Sequence, residues 1–212
     1  MKQILVATTN PAKIEEIIYG LKTFLKEKIQ ILRLNDVEVE EKPEEIGATF
    51  CQNASIKARF YGEKTKLPTI ADDGGLIIPY LNNEPGVKSR RWLGYDASDQ
   101  ELIDYTLKRL KNVSFKKRVA YLQTCLCFYL PYQFNLSEKE NQQHIFFETE
   151  KIKGYIAQKP SNKPTNGYPF RALFIVEKFN KYYDELTEQE HQKINHRLIA
   201  IKKLVKKIKN IL

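Results

Sequence analysis

A chain of 212 residues with 42% apolar residues, 12 Tyr and 11 Phe can build a real core, as one large domain or one domain of two lobes. No apolar run approaches the roughly 20 residues of a membrane span. The opening MKQILVATTN has too short an apolar stretch for a signal peptide, so a cytoplasmic protein is expected. The net charge of +9 admits a polyanion partner. Much of that charge, however, sits on Lys202, Lys203, Lys206, Lys207 and Lys209, interleaved with Ile201, Leu204, Val205, Ile208 and Leu212. That is the spacing of a C-terminal helix with a core stripe and a solvated basic face, and no specific nucleic-acid partner is expected.

In chain order, Ile4 to Ala7 reads as a short buried strand. Asn10 is a good N-cap and Pro11 suits the first helical position, so a helix is expected from Pro11 to about Lys26. A strand feeding a helix N-terminus presents free N–H groups and a positive dipole end. The hydroxyls of Thr8 and Thr9 and the ammonium of Lys13 would then complete a phosphate cradle. The plainer reading makes Asn10 a cap and Lys13 a surface lysine. Ile29 to Leu34 reads as a second strand, and Asn35 to Glu45 as an acidic loop that delivers Glu45.

The stretch Glu44 to Gly75 is the centre of the chain. Thr49 and Gln52 form a capping box, so a helix begins near Phe50. Asn53 and Lys57 lie four apart on one face of it. Leu67 to Ala71 reads as a buried strand ending in Asp72-Asp73-Gly74-Gly75. Carboxylates at a strand end before glycines suit an oxygen-ligated divalent cation beside a phosphate; a polar turn is the alternative.

Asp96 to Asp99 opens a further helix, and Arg118 to Leu130 and His144 to Gln158 read as long strands joined by a polar loop, Pro131 to Gln143. Tyr168, Phe170 and Arg171, ahead of a strand at Leu173 to Val176, either stack on a nucleobase or pack on that strand. Asp184 to Thr187 leads into the last helix, in or just before which lie His191, His196 and Arg197. His196 with Arg197 can donate several hydrogen bonds to carbonyl or phosphate oxygens. The three cysteines, Cys51, Cys125 and Cys127, sit in apolar contexts and are expected as buried reduced thiols.

These stretches resemble the inosine/xanthosine triphosphate pyrophosphatase family over nearly the full length. The match rests on Ala7 to Lys13, on Gly47 to Ala54 with Lys57-Ala58, and on Pro68 to Leu76. It continues in Pro85-Gly86-Val87 with Ser89 and Arg91, in Asp96 to Gln100, and in Asn195-His196-Arg197. The resemblance implies a single α/β domain over residues 1–212, elongated and two-lobed, with a mixed twisted sheet flanked by helices. The active site would lie in the cleft between lobes. It further implies a homodimer, Mg²⁺ dependence, and hydrolysis of a nucleoside triphosphate to a monophosphate and pyrophosphate. By position Asp73 matches the general base and a metal ligand, and Glu45 the metal-binding glutamate. Thr8, Asn10 and Lys13 match the triphosphate cradle, and Lys57 a phosphate-neutralising lysine. Tyr168 to Arg171 and the pair His196-Arg197 match the base pocket.

The base-recognition end departs from the family pattern. Tyr168-Pro169-Phe170-Arg171 stands where the family has Phe-Gly-Tyr-Asp, so an acid has become a base. His191 stands for a lysine, Gly74 for a serine after the acidic pair, and Asn195 for the serine before His-Arg. Discrimination among oxo bases is therefore expected to be looser than in the family. A nucleotide-binding protein with altered base preference or lost turnover is the rival reading. The retained Glu45, Asp73, Lys13 and Lys57 favour the enzyme.

Overall fold

The structure, a computed structural model, describes residues 2–25, 29–131, 144–162 and 167–211. The expected helix end at Lys26, the body of the loop from Pro131 to Gln143, part of the loop before Tyr168, and Leu212 fall outside them. The strands are β1 (Gln3–Ala7), β2 (Gln30–Arg33), β3 (Thr69–Ile78), β4 (Glu84–Pro85), β5 (Val119–Tyr129), β6 (Ile145–Ile156), β7 (Phe174–Val176) and β8 (Lys181–Tyr182). They form one mixed sheet in the order β2-β1-β3-β5-β6-β7-β8, with β4 beside β3. β1 pairs in parallel with β2 and β3, whereas β3–β4, β6–β7 and β7–β8 are antiparallel. The helices are α1 (Pro11–Phe24), α2 (Phe50–Thr65), α3 (Asp99–Arg109), α4 (Glu188–Ile194) and α5 (His196–Ile208).

The chain divides into two compact units, the first from residues 1–73, 124–150 and 196–212, the second from 74–123 and 151–195. In the first, the sheet is buried on both faces, as parallel strands require. Ile4, Val6, Ile70 and Phe128 pack with Ile17, Leu21, Leu204 and Val205 of α1 and α5. Leu5, Ala7, Ala71 and Tyr129 pack with Ala54, Ala58 and Tyr61 of α2. The alternation along Ile4-Leu5-Val6-Ala7 sends successive side chains to opposite faces. Gly20 lets α1 and α5 approach: a Cβ there would lie 2.8 Å from Ile201 Cδ1. On α5, Lys203 pairs with Glu150, and Lys207 meets Glu148 at 2.7 Å, so part of the basic face is answered by acids on β6.

In the second unit, Leu76, Ile78, Leu102, Leu110, Leu122, Ile156 and Phe174 share a core. Arg118 is buried there, donating to the carbonyls of Leu110, Val113 and Ala157. These contacts tie the end of α3 and the loop after it to the residue that follows β6.

Three expectations are corrected. The strand at Leu67 to Ala71 does not stop at the acidic pair; β3 continues through Asp72, Asp73, Gly74 and Gly75 to Ile78. Gly75 serves close approach rather than a turn, since a Cβ there would run into Ser89 Oγ. The last helix is two helices, α4 and α5, because Asn195 is extended at φ −60° and ψ 99°. The cysteines are not all reduced. Cys51 on α2 and Cys125 on β5 form a disulfide, with Cα atoms 5.2 Å apart, while Cys127 is a buried thiol. The fold had to bring those two together across 74 residues.

Candidate active site

The turn from β1 into α1 is held by its own side chains. Asn10 Oδ1 accepts from the Ala12 and Lys13 amides at 3.1 Å, and Asn10 N–H donates to Thr8 Oγ1 at 3.3 Å. Asn10 therefore caps the helix, with Thr8 buried behind it and Thr9 exposed. This cap sets Lys13 on the first turn of α1. Its Nζ lies 2.8 Å from Asp72 Oδ2 on β3.

Asp72 is fully buried and gathers three donors. Lys13 and Arg197 Nη2, at 3.4 Å, meet Oδ2, and the Thr124 hydroxyl donates to Oδ1. Burial alone would raise its carboxyl, but Arg197, Lys13 and Thr124 outweigh it and hold it far below the usual carboxylate range. Arg197 also pairs with Glu16 on α1. Arg197, matched from sequence to a base pocket, thus lies against Asp72 and Glu16. His196 beside it is buried at the start of α5.

The neighbouring Asp73 behaves oppositely. Burial raises its carboxyl, Lys57 and Lys13 pull it down, and the balance stays raised. Its Oδ1 is 3.7 Å from Lys57 Nζ, while its buried Oδ2 has no hydrogen-bond partner among the described residues. Lys57 Nζ is 2.9 Å from Glu45 Oε2. Burial works against the Lys57 ammonium, but Asp73 and Glu45 overcome it and raise its pKa. Asn53, one helical turn before Lys57, is buried; its Oδ1 accepts from Gly47 N–H at 2.7 Å. It thereby fixes the loop carrying Glu45 to α2. The capping box is present as expected, with Thr49 and Gln52 bonded reciprocally.

Two carboxylates that converge on one ammonium, one with an orphaned buried oxygen, fit a hard divalent cation. Among the described residues no group of three or more His, Cys, Asp or Glu is placed to hold a metal. A cation here would draw few ligands from the protein and the rest from phosphate and water, which is the habit of Mg²⁺.

The remaining candidates belong to the second unit. The Arg171 guanidinium lies 3.7 Å from the Tyr168 ring centre and 4.7 Å from that of Tyr183. His191 Nε2 is 2.8 Å from the Tyr183 hydroxyl. Phe170 is buried in the core beside Trp92. Gly74 follows Asp73 within β3. We expect Arg171→Ala to cost about 1–2 kcal/mol of stability, from two desolvated cation–π contacts and the packing of the stem; thermal unfolding checks it.

Sequence reasoning missed Glu16 and Thr124. Glu16 is 181 residues from its partner Arg197, and Thr124 is 52 from Asp72. No local spacing signals either pairing; their only trace was a polar residue inside an apolar strand and an acid near a helix start.

A model of the Ham1 family matches residues 4–207. The dITP/XTP pyrophosphatase of Thermoanaerobacter sp. (strain X514) is 37% identical over 203 residues, or 95% of this chain and 94% of that protein. The dITP/XTP pyrophosphatase of Halalkalibacterium halodurans is 35% identical over 208 residues, covering 97% and 98%. Among solved structures, a HAM1 protein from Coxiella burnetii matches with a TM-score of 0.81 at 31% identity, covering 99% of this chain and 100% of that one. The resemblance drawn from the motifs and the mixed α/β fold are both borne out.

Proposed function

The chain belongs to the Ham1 family, and from that premise we propose that it hydrolyses non-standard purine nucleoside triphosphates of the ITP/XTP kind to monophosphate and pyrophosphate. The observation that carries the reading is the convergence of Glu45 and Asp73 on Lys57, beside Lys13 on Asp72, within one unit. It is an acidic cation site flanked by two ammonium groups.

In this reading Lys13 and Lys57 hold the triphosphate and offset the charge that grows on the leaving pyrophosphate. Asp73 Oδ2, buried and without a hydrogen-bond partner among the described residues, accepts the proton of the attacking water. The water oxygen bonds to the α-phosphorus, the α–β bridge breaks, and the bridging oxygen leaves with pyrophosphate. Glu45 and Asp73 would hold Mg²⁺, which would supply positive charge to the triphosphate and to the attacking water.

Bases carrying oxo groups are expected to be preferred to adenine, in keeping with the dITP/XTP pyrophosphatases that this chain resembles. Because Arg171 lies over Tyr168 and Tyr183, we expect that preference to persist in Arg171→Ala. Pyrophosphate release from ITP, XTP, GTP, UTP and ATP tests the function. ITP and XTP should lead; a preference for ATP, or no release from any triphosphate, rejects it.

Lys13→Ala is expected to weaken triphosphate affinity and turnover together, because its charge meets phosphate in both ground and transition states. The affinity for the monophosphate should change less. Calorimetric titration with both nucleotides checks this.

A homodimer and a cytoplasmic location are part of the same reading, supported by the resemblance. Light scattering giving the mass of one chain would remove the dimer. Among the described residues no helix is long and apolar enough to cross a membrane.

A further inference from the structure

A fully buried carboxylate needs donors on both oxygens, since each unsatisfied lone pair is left without the water it has lost. Asp72 divides its partners unevenly. Both cations, Lys13 and Arg197, meet Oδ2, while Oδ1 takes the hydroxyl of Thr124. Thr124 is itself fully buried on β5, the strand next to β3. A hydroxyl in the middle of that apolar strand would be costly without a partner, and Asp72 is the partner.

We propose that Thr124 is a positioning residue for the triphosphate site, acting through Asp72 on Lys13. The inference rests on the function proposed above. Two points on the carboxylate, one held by a neutral hydroxyl and one by cations, fix its rotation about the bond to Cβ. Loss of the Oδ1 contact leaves Oδ2 free to swing between Lys13 and Arg197. Lys13 then no longer presents its ammonium at one fixed place to the phosphates. Thr124 does not touch the reacting atoms; it sets the carboxylate that sets the lysine. The Arg197–Glu16 pair holds the second cation from the other side, so Lys13, on the more exposed side chain, takes up the loosened geometry.

The test is a cycle of Thr124→Val, Lys13→Ala and the double variant, with kcat, KM and triphosphate affinity measured well below unfolding. Thr124→Val should lower kcat/KM by about 10-fold or more, the loss expected for one hydrogen bond to a charged group. Much of this should appear as raised KM and weaker triphosphate binding. In the Lys13→Ala background the same substitution should add little. Thr124→Ser, which keeps the hydroxyl, should restore wild-type values. If Thr124→Val fails to fold, Thr124→Ala against Thr124→Ser makes the same comparison. Thr124→Val equal to wild type, or equal losses with and without Lys13, overturns the inference. If the wild type releases no pyrophosphate, the function fails, and the cycle is then read in triphosphate affinity alone.

Discussion

Asp73→Asn is expected to cut turnover about 100-fold or more, several kcal/mol of transition-state stabilisation, while leaving the fold as stable as before. The two halves of this expectation have separate causes. Turnover falls because an amide neither accepts the water's proton nor ligates a hard cation well. Stability holds because Asp73 carries a buried charge at a cost: burial raises its carboxyl against the pull of Lys57 and Lys13. Its Oδ2 has no donor to lose among the described residues. Lys57 keeps Glu45 at 2.9 Å. Steady-state pyrophosphate release, paired with a thermal melt of each protein, checks both. Turnover near that of the wild type would remove Asp73 from the chemistry.

Asp72→Asn should show the reverse order of effects. Here the first consequence is unfolding. Removing the charge leaves Lys13 and Arg197 facing a neutral amide where they had a buried carboxylate. Breaking a buried ion pair in this way costs about 3–5 kcal/mol, or roughly 10 °C in Tm for a chain of this size. The effect depends on pH with a definite sign. The folded-state pKa of Asp72 lies below its ordinary 3.8. Its contribution is therefore complete above that value and is lost as pH falls through the range beneath it. Denaturant unfolding at neutral pH should separate the two proteins widely, and the gap should begin to close below about pH 4. A gap that stays constant into the acid range would mean that the Asp72 charge is not what stabilises the fold.

The opposite fates of two adjacent aspartates mark what the sequence could and could not convey. The motif Asp72-Asp73-Gly74-Gly75 was legible as an acidic pair, and position along the chain matched Asp73 to the base. That Asp72 is instead the fully buried hub of Lys13, Arg197 and Thr124 depends on contacts across 52 and 125 residues, which no local pattern encodes. Local chemistry read well. Asn10 and Pro11 start α1, and Thr49 with Gln52 starts α2, because caps are set by residues two or three apart. The strand through the glycines read badly, because two glycines in a row look like a turn until the approach of Ser89 to Gly75 is seen. The Cys51–Cys125 bond was invisible for the same reason as Thr124: its partner arrives from a distant strand. Arg197 was found as a residue of interest, but its setting against Glu16 and Asp72 required the fold.

The central claim is that water attacks the α-phosphorus and expels intact pyrophosphate. Turnover of ITP in water enriched in heavy oxygen tests it most directly, with both products examined by mass spectrometry. The account predicts one heavy atom in the monophosphate and none in the pyrophosphate. Label in the pyrophosphate, or release of orthophosphate with a nucleoside diphosphate, would contradict it.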